Sequence, residues 1–273
     1  MAIQAPSKPV VPVPVNRVAM RHLNCLIYGN SGVGKTVFAS TGPRPTLYIN
    51  VDKGTLSIAD LQDDVLELSC NTWTDIKDII LFLRAEFEKN PNAYRVIVLD
   101  NVTELQRILM QSITEGKSIA TTQDWGILLN YMRFVVRRIR ELPCHTVFIF
   151  HEQVKDGMFA PMLDGKLYKE ITGMFDVVAR YVLIDQQVTN SETGQIDTKT
   201  IRYLRCIATQ DTTAKDRSWK LAKAEPVDLN KLIAKATTPK QPVATVISAA
   251  STVALQPKAS QSATQSKATI AVA

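Results

Sequence analysis

Between residues 23 and 236, short apolar runs alternate with stretches whose apolar residues recur at helical spacing. Leu23–Tyr28 and Thr46–Asn50 read as strands, and Arg95–Asp100 is a continuous apolar run closed by an acid. His145–Phe150 has the same character. Unbroken runs of this kind are buried on both faces, as in a parallel sheet. Trp73–Glu88 places Ile76, Ile79, Ile80 and Leu83 on one helical face. Further helices are predicted from about Val102 and over Asp124–Leu142. This alternation predicts an α/β fold, a mainly parallel central sheet flanked by helices. The last third changes: Val177–Ile184 and Thr200–Thr209 read as strands around a turn-rich Thr189–Asp197. That pair predicts an antiparallel hairpin appended to the sheet.

The two ends follow neither pattern. Pro6, Pro9, Pro12 and Pro14 stand among valines in residues 1–20, which favours an extended arm. From Thr237 onward the chain is dominated by Ala, Ser, Thr, Gln and Lys, too weakly hydrophobic to order itself. The expected organisation is an arm (1–20), one domain (21–236) and a disordered tail (237–273).

Strand 23–28 leads into Gly29-Asn30-Ser31-Gly32-Val33-Gly34-Lys35-Thr36, a complete G-x-x-x-x-G-K-[ST] phosphate loop. Glycines let the backbone curl so that successive N–H groups point at phosphate oxygens, and the following helix adds its dipole. Lys35 would reach the β- and γ-phosphates, and the Thr36 hydroxyl would ligate Mg²⁺. The motif predicts binding of a nucleoside triphosphate; no guanine-reading N-K-x-D stretch is present.

Asp100 ends the next strongly apolar strand, where a carboxylate can hold the metal's water shell or, alternatively, cap the following helix. Its neighbour is Asn101, so a second carboxylate is missing there and a water-positioning group must come from elsewhere. Asp52 is the first candidate, a turn-forming role being the alternative; Glu104 is the second. His151 and Glu152 close strand 145–150 and are candidates to sense a γ-phosphate, a structural role for the histidine being the alternative. Lys215 and Arg217, in Ala214–Trp219, form a charge cluster after the last long strand.

Net charge changes the picture little. Of the +6 total, two charges lie in the arm (Lys8, Arg17) and three in the tail (Lys240, Lys258, Lys267), leaving the domain near +1. Any nucleic-acid surface on the domain must therefore be local. Four dispersed cysteines without a C-x-x-C pair suggest buried thiols in a reducing cytoplasm, and no apolar run reaches membrane-spanning length.

Together, GNSGVGKT (29–36), VIVLDNVTEL (96–105), FIFHEQ (148–153) and AKDRSW (214–219) resemble the RecA-like AAA-family P-loop ATPases of bacteriophages. That group includes Sak-type single-strand annealing and recombination proteins. The resemblance implies a RecA-like fold, ATP and Mg²⁺ as cofactors, and Lys215 and Arg217 acting in trans on a neighbouring subunit's γ-phosphate. It implies assembly with itself as a filament or ring, single-stranded DNA as partner, and a host-cytoplasm location if phage-encoded. Asp52 falls where such proteins usually carry a Glu, which predicts slow basal hydrolysis. DNA contacts are expected from Ser112–Gln123, with Lys117, and from a long loop Gln153–Thr172, with Lys155, Phe159, Lys166, Tyr168 and Lys169. A helicase-loader or replication-accessory switch, with a single-strand-binding or replication protein as partner, is the alternative function. A nucleotide-dependent assembly factor without DNA is a third.

Overall fold

The computed structural model describes residues 22–61, 64–115, 117, 119–164, 167–189 and 196–238. The arm, the tail beyond residue 238 and Lys166 lie outside the described residues.

Six strands form the parallel centre: β1 (Asn24–Gly29), β2 (Thr46–Asn50), β3 (Val65–Ser69), β4 (Val96–Asp100), β5 (His145–Lys155) and β7 (Val177–Thr189). β8 (Ile196–Arg205) pairs antiparallel with β7, and β10 (Ala224–Glu225) with β8. The sheet order is β10-β8-β7-β1-β5-β4-β2-β3, with β6 (Met158–Pro161) on β5 and β9 (Lys215–Asp216) on β7. β1 thus lies between β5 and β7 in mid-sheet, and its carboxyl end carries the phosphate loop.

The sheet's two faces bury different helices because alternate strand residues point to opposite sides. Leu26, Tyr28, Ile97, Leu99 and Phe148 meet α2 (Trp73–Lys89), α3 (Val102–Ile113), α4 (Thr122–Arg140) and α5 (Leu167–Met174). Ile27, Tyr48, Val98 and Ile149 meet α1 (Lys35–Ser40) and α6 (Leu229–Thr237). Helix starts are set locally: Thr72 and Thr121 form capping boxes with Asp75 and Asp124.

The structure corrects one expectation. Gln153–Thr172 is not a long open loop: β5 runs on to Lys155, turns at Asp156-Gly157 and returns as β6, after which α5 begins. Asp156 (φ 52°) and Gly157 (φ 77°) both have positive φ, as a two-residue hairpin turn requires, and Asp-Gly is the favoured pair there. Polar His151, Glu152 and Gln153 disguise the strand. Glu152 is neutralised by Arg180 at 2.6 Å, and the Gln153 amide donates to the Pro161 (2.9 Å) and Leu163 (3.2 Å) carbonyls.

Candidate nucleotide site

The phosphate loop leaves β1 where space is shortest. A Cβ at Gly29 would meet the Tyr181 carbonyl oxygen at 2.8 Å, and Gly34, at φ 108°, would bring one to 3.1 Å from the Tyr181 hydroxyl. A side chain at either position forces the loop off β7. α1 then starts at Lys35 and is six residues long, so its dipole is that of a short helix rather than of a full one.

Lys35 is buried, and its Nζ donates to the Gly29 (2.9 Å) and Asn30 (2.7 Å) carbonyls. Burial lowers its pKa from the usual lysine value, opposed by the charges of Asp100 and Asp52. Thr36 Oγ1 donates to Asp100 Oδ2 at 2.6 Å. Burial raises the Asp100 carboxyl to about 6; the Thr36 donor and Lys35 oppose this and Asp52 adds to it. Two oxygen donors side by side, facing a phosphate loop, suit a hard divalent cation that keeps water and phosphate oxygens as its other ligands.

Asn101, read in sequence only as a missing carboxylate, is the hub of the site. Its Oδ1 accepts the Glu104 N–H at 2.7 Å, capping α3. That bond orients the amide, so Nδ2 donates to Asp52 Oδ2 (2.5 Å) and faces His151 Nε2 at 3.1 Å. His151 Nε2 is then the acceptor and its proton sits on Nδ1. Burial, with Lys35 second, lowers the His151 pKa, which keeps the ring neutral at pH 7. Asp52 Oδ1 also accepts the Gly54 N–H at 3.0 Å, so the turn-forming role and the site role coexist. No local signal announces this bridge, because its members are some 50 residues apart in the chain.

Lys35, Thr36, Asp52, Asp100, Asn101 and His151 line one cavity of about 360 Å³ with Ser31, Gly32 and Gly34 of the loop. Glu104 is outside it, paired with Arg107 at 3.0 Å. Glu152 also turns away: it binds Arg180 through two bonds, and the Arg180 guanidinium lies 3.4 Å from the Phe159 ring centroid.

Lys215 and Arg217 are placed at the other end of the sheet. β9 pairs with Val177 and Val178, the first residues of β7, whereas the phosphate loop leaves the last residue of β1. Lys215 Nζ donates to the Gly173 carbonyl at 3.0 Å; Arg217 donates to the same carbonyl at 2.8 Å and to Asp176 at 3.3 Å. Cations at the C-terminus of α5 are favoured by its exposed carbonyls.

The residues expected at DNA are split. Lys117, beyond α3, is exposed and donates to Asp124 at 2.6 Å. Lys155 lies 5.7 Å from the Tyr168 ring, and the Tyr168 hydroxyl bonds Thr213 at 2.5 Å. Lys169 is exposed on α5. With Phe159 beneath Arg180, these aromatics pack within the domain instead of standing as open stacking platforms. Tyr28, next to the loop, has its hydroxyl 2.6 Å from the Thr213 carbonyl and 3.0 Å from that of Phe159.

A protein-family profile described as an AAA domain matches residues 21–218. Among curated proteins, the SPbeta prophage-derived uncharacterized protein YorG of Bacillus subtilis (strain 168) is 26% identical over 160 residues, 56% of this chain. The match spans 48% of that relative, about half its length. Among the described residues, no helix is long and apolar enough to cross a membrane.

Proposed function

The chain belongs to the AAA-domain family, and from that premise we propose that it is a Mg²⁺-dependent ATPase acting on single-stranded DNA in phage recombination or annealing. The observation that carries the ATPase part is the 2.6 Å Thr36–Asp100 bond beside Lys35, with Asp52 held in the same cavity by Asn101. The loop backbone over 29–36 and Lys35 would hold the polyphosphate, and Thr36 and Asp100 would hold the cation. A bound Mg²⁺ would supply neutralisation of the polyphosphate's negative charge. Asp52 accepts a hydrogen bond from the attacking water. The Asn101 amide keeps that carboxylate oriented, and neutral His151 receives the other half of the bridge.

Finger residues remote from their own phosphate loop support a trans arrangement, so the working unit is an assembly of copies, filament or ring. In it Lys215 and Arg217 stabilise transition-state charge in the adjacent copy. The prophage origin of the relative supports the phage setting. The DNA part rests on Lys117, Lys155, Lys166 and Lys169 as phosphate-neutralising groups; Phe159 and Tyr168 shape that surface from within.

ATP hydrolysis measured with and without single-stranded DNA, duplex DNA as control and Lys35→Ala as blank, tests the reading. Single-strand stimulation lost in the variant supports it. Hydrolysis indifferent to DNA moves the function to a helicase-loader or replication-accessory switch, with a replication protein as the partner to seek. Reversing Lys155, Lys166 and Lys169 should weaken single-strand binding and reduce its salt slope by about 0.7 for each phosphate no longer neutralised.

A further inference from the structure

Two residues beyond Arg217, Trp219 is 84% exposed and adopts φ 57°. A bulky residue in the left-handed region is strained, and it persists only where its surroundings impose it. Asp216 imposes it. Its Oδ1 accepts the Ser218 N–H (2.8 Å) and hydroxyl (2.6 Å), and its Oδ2 accepts the N–H groups of Lys220 and Leu221, both at 2.9 Å. β9 anchors the segment to β7. The result is a rigid presentation of an indole into solvent, lining one cavity of about 590 Å³ with Lys215 and Arg217.

A second apolar feature lies beside the nucleotide site. Leu56 is 87% exposed, Leu61 40% and Leu66 43%, around a groove of about 400 Å³ floored by Tyr48 and Ile58. The one-turn 3-10 helix Thr55–Ile58 joins groove and site: Gly54 and Ser57 face the nucleotide cavity while Leu56 and Ile58 face the groove. β3, which contributes Leu66, is the last strand of the sheet order.

We propose that Trp219 anchors a head-to-tail contact between copies of this chain, its indole seated in the Leu56–Leu61–Leu66 groove of the next copy. The proposal rests on the trans-finger reading, and it identifies the surface that makes that reading possible. Each half of the divided site has its apolar patch at matching reach. Trp219 is two residues from Arg217, and Leu56 is adjacent to Ser57 and two residues from Gly54; two residues span at most about 7 Å. The charges are complementary. In net sign, Arg140, Lys215, Arg217 and Lys220 outnumber Asp176 and Asp216 on the tryptophan side, whereas Glu67 lines the groove and Asp60 adjoins it in the chain, with Lys53 opposing them. Groove and indole lie on different surfaces, so the contact is heterologous and propagates from copy to copy. Buried aromatic anchors ringed by polar groups dominate such interfaces.

Cysteine cross-linking of the full chain tests this, since Cys25, Cys70, Cys144 and Cys206 are all buried. Trp219→Cys with Leu56→Cys, oxidised by diamide with and without Mg²⁺ and a non-hydrolysable ATP analogue, should give a ladder of covalent multimers. Each single variant should give none, and Trp219→Ala should weaken self-association at least about tenfold. Three results overturn the proposal: no ladder from a double variant that still binds the analogue, dimers from Trp219→Cys alone, or linkage of Leu56→Cys to a Val13→Cys in the arm instead of to residue 219. Arg217→Ala separates this contact from the finger. If the ladder persists and Arg217→Ala hydrolyses ATP normally, the contact stands and the finger fails. If the ladder is absent and Arg217→Ala is inactive, the reverse holds.

Discussion

At the carboxyl end of the sheet Lys35 is buried and held by two carbonyls of its own loop; at the amino end Lys215 is half-buried and Arg217 exposed, held by the last carbonyls of α5. Both ends thus place cations against backbone oxygen, but the first does so away from water. Burial makes every charge there costly unless paired, which is why Lys35, Asp100 and Asp52 come together. The second end keeps its cations in solvent, where salt screens them and another surface can reach them. One end closes its charges within the fold, and the other leaves them open to solvent.

The largest effect that would break this contrast is at Lys35. Lys35→Ala should remove hydrolysis entirely and lower the melting temperature, because Asp100 stays buried without its neighbouring cation and the Gly29 and Asn30 carbonyls lose their donor. Turnover and a thermal melt on one preparation check both halves, and residual activity or an unchanged melt would contradict the contrast. Arg217→Ala comes next, with a loss of about 10³-fold in turnover. Mixing it with Lys35→Ala should restore activity, since each variant supplies what its neighbour lacks. A mixture as inactive as its parts would put the finger in cis or out of the reaction.

These two ends were unequally legible. The loop at 29–36 and the acid at 100 are readable because phosphate binding needs particular residue types at fixed local spacing. Asn101 is not, because its value lies in joining Asp52 to His151, which only the pairing of β2, β4 and β5 brings together. The β5–β6 hairpin was hidden by polar strand residues whose partners are distant, although Asp156-Gly157 carried its signal. Trp219 looks ordinary in sequence, and its positive φ exists only through the Asp216 turn.

A smaller effect sharpens the amino-end picture. Leu23 donates its N–H to His145 Nδ1 at 3.0 Å, and burial, with His22 and Arg95 nearby, lowers that ring's pKa to about 4. Below the unfolded value of 6.5 the unfolded chain binds the extra proton, so stability present above 6.5 is lost as pH falls through 4. His145→Gln should flatten the denaturation midpoint between those pH values, removing about 3 kcal/mol of pH dependence. An unaltered pH profile would refute a neutral, half-buried His145. Smallest of all, Asn101→Ala should cost about 1 kcal/mol through its lost cap. It should also lower turnover about tenfold by freeing Asp52. Urea denaturation and steady-state kinetics read the two separately, and normal turnover would leave the amide a cap alone.

Tyr28 has one hydroxyl proton and two carbonyls within reach, on Thr213 and on Phe159. Thr213 stands two residues before Lys215, Phe159 sits on the β5–β6 hairpin, and Tyr28 itself abuts Gly29. The three segments therefore meet at a single pivot. The Tyr28 phenol thus ties the hairpin and the segment leading to β9 to the residue that directly precedes the phosphate loop.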